Sequence, residues 1–267
     1  METKSTPTTV FNLECANSPV KDGRYLRGIA PAGDKMYVIT KSRLLSIQKE
    51  KIIAQREFPG RCLEDVRFHD GKIYLLDSIN RQIISESGTE VIDVPKEYGD
   101  LVEFLCHGHK IYIRTRSMFI IYDKLDSKPD SKLDSKPDSK PDSKPDSKPD
   151  SKPDSKFRVL RKFETDKYVG MALWKNQLLT IEAGTPNLHF VESNKSVVLA
   201  YLWRPSSMVM DGKGNLFIHD LGSLHVYQPE GETWKWTKGT NFGTHSFAIG
   251  IEGEIFCLDM LNVRIFK

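Results

Sequence analysis

The chain has 267 residues, 28% of them charged, with a formal net charge of only +3. So dilute a positive balance implies no obligate nucleic-acid or membrane partner, and no run approaches the roughly 20 apolar residues of a bilayer-spanning helix. The N-terminal METKSTPTTV lacks the apolar stretch of a secretory signal, and Cys15, Cys62, Cys106 and Cys257 form no CxxC pair, so the expectation is a soluble, monomeric, cytoplasmic protein with reduced, buried thiols.

In chain order, the first apolar segment is TTVFNLE from Thr8, which stands alone. One unit then recurs six times: an apolar run, a tight turn and a second strand. It reads RGIAPA then KMYVIT from Lys35, EDVRFH then KIYLLD from Lys72, and VEFLCH then KIYIRT from Lys110. Further on come GMALWK then QLLTIE from Gln177, SMVMDG then NLFIHD from Asn215, and SFAIGI then EIFCLD from Glu254. The turns carry Gly, Asn or Asp, the residues that supply positive φ in hairpins. Third strands follow as RLLSIQ, RQIISE, MFIIYD, NLHFVE, SLHVYQ and NVRIFK, and fourth strands as IIAQREF, EVIDVP, FRVLRKF, SVVLAYL and TWKWTK. Helical periodicity is absent. Four-stranded units of about 40 residues, each able to bury its faces only against its neighbours, predict an all-β, six-bladed β-propeller spanning 8–267. The sixth unit lacks a fourth strand and the N-terminal strand lacks a blade, so the two are expected to pair beside NVRIFK and close the ring.

Second strands begin at 36, 73, 111, 178, 216 and 255, and the one long interval, from 111 to 178, contains the tract DSKPDSKLDSKP… of residues 126–156. The tract is therefore expected as an insertion within blade three, between third and fourth strands and on the face away from the binding site. Its proline and charge content favour an extended or disordered loop. Its serines from Ser127 to Ser151 have Asp three residues on, a pattern similar to the consensus of acidophilic kinases.

The end of the second strand carries a further signature. Asp77, Asn80, Arg81 and Ile83 in blade two, and Asp259, Asn262, Arg264 and Ile265 in blade six, resemble the NHL-repeat six-bladed propellers; blade five keeps Asp220 alone, and blades one, three and four carry Thr40, Thr115 and Glu182. Physically, a carboxylate at a strand end accepts backbone N–H groups of the next turn, and the neighbouring Arg offers it a fork. The resemblance implies a binding module for substrates or RNA. No RING, B-box or coiled coil accompanies it.

No linear catalytic motif is present, so no catalytic residue is assigned. In an up-and-down meander the connections into the innermost strands share one face with the turns between second and third strands. On that face Arg24, Arg27, Lys41, Arg43, Arg61, Arg114 and Arg116 are expected in blades one to three, with Tyr25, Tyr98 and Trp203 nearby as stacking surfaces. Such a patch suits a protein partner, or the phosphates and bases of single-stranded RNA. The plainer expectation pairs these arginines with Glu64, Asp65, Asp77 and Asp100. A second constellation, Glu64, Asp100, Asp166 and Asn241 with His245 as base, resembles calcium-dependent six-bladed lactonases and esterases in outline, although blade one offers Arg24 and Arg27 where those supply a carboxylate. The leading expectation is a non-enzymatic protein-interaction scaffold without a cofactor. Calcium enters only with the hydrolase reading.

Overall fold

A computed structural model describes residues 7, 9–12, 26–124, 157–164, 167–241, 246–250, 253–259 and 262–266. They form six four-stranded antiparallel sheets arranged as a six-bladed β-propeller. Blade one is β2 (Gly28–Ala32), β3 (Lys35–Ile39), β4 (Arg43–Gln48) and β5 (Lys51–Glu57). Blade two is β6 (Leu63–His69), β7 (Lys72–Asp77), β8 (Gln82–Ser85) and β9 (Val91–Asp93), and blade three is β10 (Leu101–His107), β11 (Lys110–Thr115), β12 (Met118–Lys124) and β13 (Phe157–Glu164). Blade four holds β14 (Tyr168–Trp174), β15 (Gln177–Glu182), β16 (Asn187–Phe190) and β17 (Lys195–Val198). Blade five holds β18 (Pro205–Met210), β19 (Leu216–Asp220), β20 (Ser223–Glu230) and β21 (Thr233–Asn241).

Blade six is completed as expected. Its strands β22 (Ser246–Ile249), β23 (Ile255–Asp259) and β24 (Asn262–Phe266) accept β1 (Thr9–Asn12) at the outer edge, with Val10 opposite Arg264 and Phe11 opposite Val263. The two ends of the chain therefore share one sheet, and this pairing removes the open edge that a linear array of blades would leave.

The strands read as nearly continuous apolar runs because each blade packs on both faces. Period-2 alternation sends Ile73 and Leu75 of β7 towards blade one, where with Val66 of their own blade they meet Ile39 and Leu44, while Tyr74 and Leu76 face Phe104, Ile113 and Ile120 of blade three. The buried apolar residues divide into six clusters, one at each blade-to-blade interface, including blade six against blade one through Ala248, Leu258, Ile29 and Val38. Each cluster depends on two blades, as expected for a repeat array.

Residues 126–156 lie outside the described residues, as do Arg24, Tyr25, Asp166 and His245. The tract's flanks are described: β12 and β13 pair, with Lys124 directly opposite Phe157. The long interval thus opens and closes at one point of one blade. Among the described residues Cys62, Cys106 and Cys257 are free thiols, and no helix is long and apolar enough to cross a membrane.

Candidate functional site

Strands β2, β6, β10, β14, β18 and β22 are innermost and line the central channel. In four of them, β6, β10, β14 and β18, the register skips one residue near the channel mouth, at Glu64, Val102, Gly170 and Ser206. These bulges change which side chains line the mouth. Gly170 is required by its geometry, since it has φ +73° and an added Cβ would stand 2.9 Å from the Met208 backbone nitrogen.

The mouth carries alternating charges. Arg27 is hydrogen-bonded to Glu64, Arg67 Nη2 lies 2.9 Å from Asp65 Oδ2, and Arg114 Nε lies 3.2 Å from Glu103 Oε1. Arg67 Nε also donates to the Phe104 carbonyl at 2.9 Å, and Arg114 Nη1 to that of Tyr168 at 3.3 Å. Burial raises the Asp65 carboxyl from 3.8 to about 6; Arg67 opposes the shift and Glu103 adds to it. The mouth encloses about 250 Å³. Beneath it, towards the opposite face, the channel continues as a cavity of about 340 Å³ walled by Ala30, Phe68, Leu105, Met171, Met210 and Ile249.

Among the described residues, the arginines of the expected patch are paired. Arg61 Nη1 donates to Asp77 Oδ2 at 2.8 Å and to Gln82 Oε1 at 2.9 Å, Arg43 reaches Glu57 at 3.0 Å, and Arg116 sits 3.6 Å from Asp100. Glu64, Asp65, Asp77 and Asp100 are thus engaged as the plainer expectation had it. Glu57 and Glu103 are further partners that the sequence did not single out. Lys41 is exposed, and Lys162 rather than a base covers the Tyr98 ring, its Nζ 4.1 Å from the centroid. Trp203 does not adjoin these arginines: it precedes β18 in blade five, across the ring from blade two.

Of the constellation resembling a calcium site, Glu64 is tied to Arg27, Asp100 is exposed beside Arg116, and Asn241 is exposed at the end of β21. Among the described residues no three His, Cys, Asp or Glu side chains stand close enough to hold a metal ion.

The strand-end carboxylates act as staples. Asp77 is fully buried and accepts from Cys62 N at 3.1 Å, Asn80 N at 3.3 Å and Asn80 Nδ2 at 2.7 Å. Burial pushes its carboxyl up, but these donors and Arg61 outweigh burial and leave it lowered. One expectation is corrected here. Asp77 is bonded by Arg61 through Nη1 alone, whereas Arg81, with φ +57°, donates to the carbonyls of Val94, Pro95 and Gly99.

In blade five the same device holds an apolar surface. Asp220, buried, accepts from the backbone of Trp203 at 2.8 Å and of Arg204 at 2.6 Å. Around this anchor Trp203 is 76% exposed, Tyr201 64% and Leu221 66%. Tyr201 and Leu221 both have positive φ, +66° and +49°. Leu221 and Gly222 form the two-residue turn between β19 and β20, a position that favours Asn or Asp. A bulky residue in the left-handed region costs about 1–2 kcal/mol. Sequence reasoning found Trp203 but not Leu221, although a leucine at a hairpin tip was the available signal.

No family model and no curated protein matches the chain. Solved structures do. Virginiamycin B lyase from Staphylococcus aureus is similar over 97% of this chain and 98% of its own, with 10% identity and a TM-score of 0.62. A chain of the mitotic checkpoint complex covers 100% of this chain and 96% of its own at 10% identity, TM-score 0.61, and the WD40 β-propeller domain of Doa1 covers 91% and 78% at 9% identity, TM-score 0.59. At such identities the likeness establishes the propeller fold alone.

Proposed function

We propose that the chain is a non-enzymatic scaffold that docks a protein partner on its channel-mouth face, with blade five supplying the anchor. The observation that carries this reading is the exposure of Trp203, Tyr201 and Leu221 at the entry and the hairpin of blade five, where Asp220 anchors the backbone of Trp203 and Arg204 and the Tyr201 ring packs on Trp236. Large apolar side chains exposed close together on a surface are the residues from which interface hot spots are built. Leu221 occupies its turn at a conformational cost, and the cost is met while its side chain stays exposed. The arginines of blades one to three, paired with carboxylates, then serve as a polar rim that orients the partner. Likeness to propellers solved within assemblies, such as the mitotic checkpoint complex, supports this use of the fold. The Asp77, Asn80 and Arg81 turn supports an NHL-like repeat within it.

The test exploits opposed effects at one residue. Leu221→Asn suits the turn better, so it is expected to stabilise the fold by up to about 1 kcal/mol, while weakening partner affinity, measured on the purified partner, by about ten-fold. Trp203→Ala is expected to cost about 2 kcal/mol of binding with stability within about 0.5 kcal/mol of wild type, because the ring is exposed. Unchanged affinity in both variants contradicts the reading.

A further inference from the structure

We infer that the partner docked at blade five presents an acidic segment, a carboxylate flanked by apolar side chains, and that Arg204 receives the carboxylate. The inference rests on the docking reading above and names the chemistry of its partner. Arg204 follows Trp203 in the connection into β18, and their two backbone N–H groups share the Asp220 carboxylate. The Arg204 side chain is exposed, and among the described residues no hydrogen bond or ion pair reaches it. Arg27, Arg43, Arg61, Arg114 and Arg116, by contrast, each meet a carboxylate of the chain itself.

The surroundings leave the Arg204 charge unopposed. Among the described residues of blade five, Asp220 is the sole acid on the mouth face, for Asp211, Glu230 and Glu232 stand in the turns of the opposite face. Asp220 is buried and taken up by the backbone of Trp203 and Arg204. On the neighbouring blade four, Glu182 is engaged as well, accepting from Thr185 Oγ1 at 3.2 Å and Asn187 Nδ2 at 3.1 Å.

Beside this cation lie the exposed Trp203, Tyr201 and Leu221, with Val198 exposed at the end of β17. Leu221 follows Asp220 directly, so the carboxylate that anchors the Trp203 and Arg204 backbone also brings the hairpin tip next to them. Apolar surface adjoining one unpaired arginine is complementary to a segment of the same mixed character. Apolar side chains cover Trp203 and Leu221, and the drier contact strengthens the bond between guanidinium and carboxylate. A guanidinium forks to one carboxylate and cancels its single charge, whereas a phosphate group of about −1.5 to −2 would keep an excess of negative charge there.

The experiment titrates capped pentapeptides into the full-length protein and follows the Trp203 indole N–H signal by NMR. The peptide GLDLG is expected to shift it saturably, with GLNLG, GLKLG and GSDSG each weaker by about ten-fold or more. Arg204→Gln is expected to bring GLDLG down to the level of GLNLG, and Arg204→Glu to turn the order in favour of GLKLG; the side chain is exposed, so both variants should fold. Equal affinity for these peptides, or an order unaltered in both Arg204 variants, overturns the acidic segment while leaving docking at blade five in place. Tighter binding of the counterpart with phosphoserine at its centre overturns the carboxylate in favour of a phosphate. Absence of any shift overturns this inference, and the docking reading falls with it only if Trp203→Ala also leaves the affinity of the native partner unchanged.

Discussion

Glu90 shows how one carboxylate holds two blades. It is buried just before β9 and accepts from Lys72 Nζ at 2.6 Å, Tyr74 OH at 2.7 Å and Lys124 Nζ at 2.7 Å, so it ties blade two to the last described residue before the tract. Burial acts to raise its carboxyl, but the hydrogen bonds from Lys124, Lys72 and Tyr74 prevail and hold it at about 2 instead of 4.5. A depressed folded value means stability present above pH 4.5 and lost as pH falls through about 2. Glu90→Gln is therefore expected to cost about 2–3 kcal/mol at neutral pH. In urea titrations across pH, the difference from wild type should shrink as pH falls from 4.5 to 2; a difference independent of pH contradicts this role. Gly170→Ala should destabilise by about 2 kcal/mol or more, from a left-handed alanine and a Cβ pressed on Met208. Denaturant midpoints read this directly, and a neutral effect would contradict the close approach of β14 and β18. At this scale the Asp77 staple was legible, because a carboxylate ending a strand has few other uses. The partners of Arg81 were not, because the carbonyls it reaches lie 13 to 18 residues on and come near only in the fold. The pairing of Asp65 with Arg67 left a readable trace, as charged residues at alternate positions of an apolar strand, but the bulges beside Asp65 and Glu103 leave none.

The elements followed from turns and periodicity because each blade repeats the same local chemistry. The vacancy opposite NVRIFK was correctly filled by β1, for an unpaired edge and an unpaired strand in one chain solve each other's problem. Removing residues 1–14 should then destabilise the whole ring, since blade six contributes to the clusters against both blade five and blade one. Thermal unfolding should show a single, lowered transition; an unchanged midpoint would contradict closure by β1. The opposite outcome is expected for residues 126–156. Lys124 and Phe157 already face each other across β12 and β13, so a short turn can replace the tract. Loop closure costs vary slowly with length, and the deletion protein should unfold within a few degrees of the parent. An insoluble product would show that the tract supports blade three.

For the whole molecule, the ring puts its capacities in different places. The ion pairs of the channel mouth are built from blades one to three, whereas the exposed Trp203 and Leu221 stand at blade five. Sequence alone placed Trp203 with the arginines because it identifies a shared face and not an angular position on it; only the ring separates blade five from blade two. Cross-linking mass spectrometry of the native complex tests the central claim most directly. Lys41 and Lys167 stand on the channel-mouth face, and Lys35, Lys110 and Lys175 on the other, by their positions in the meander. The account predicts partner cross-links at Lys41 and Lys167, and cross-links confined to Lys35, Lys110 and Lys175 would contradict it.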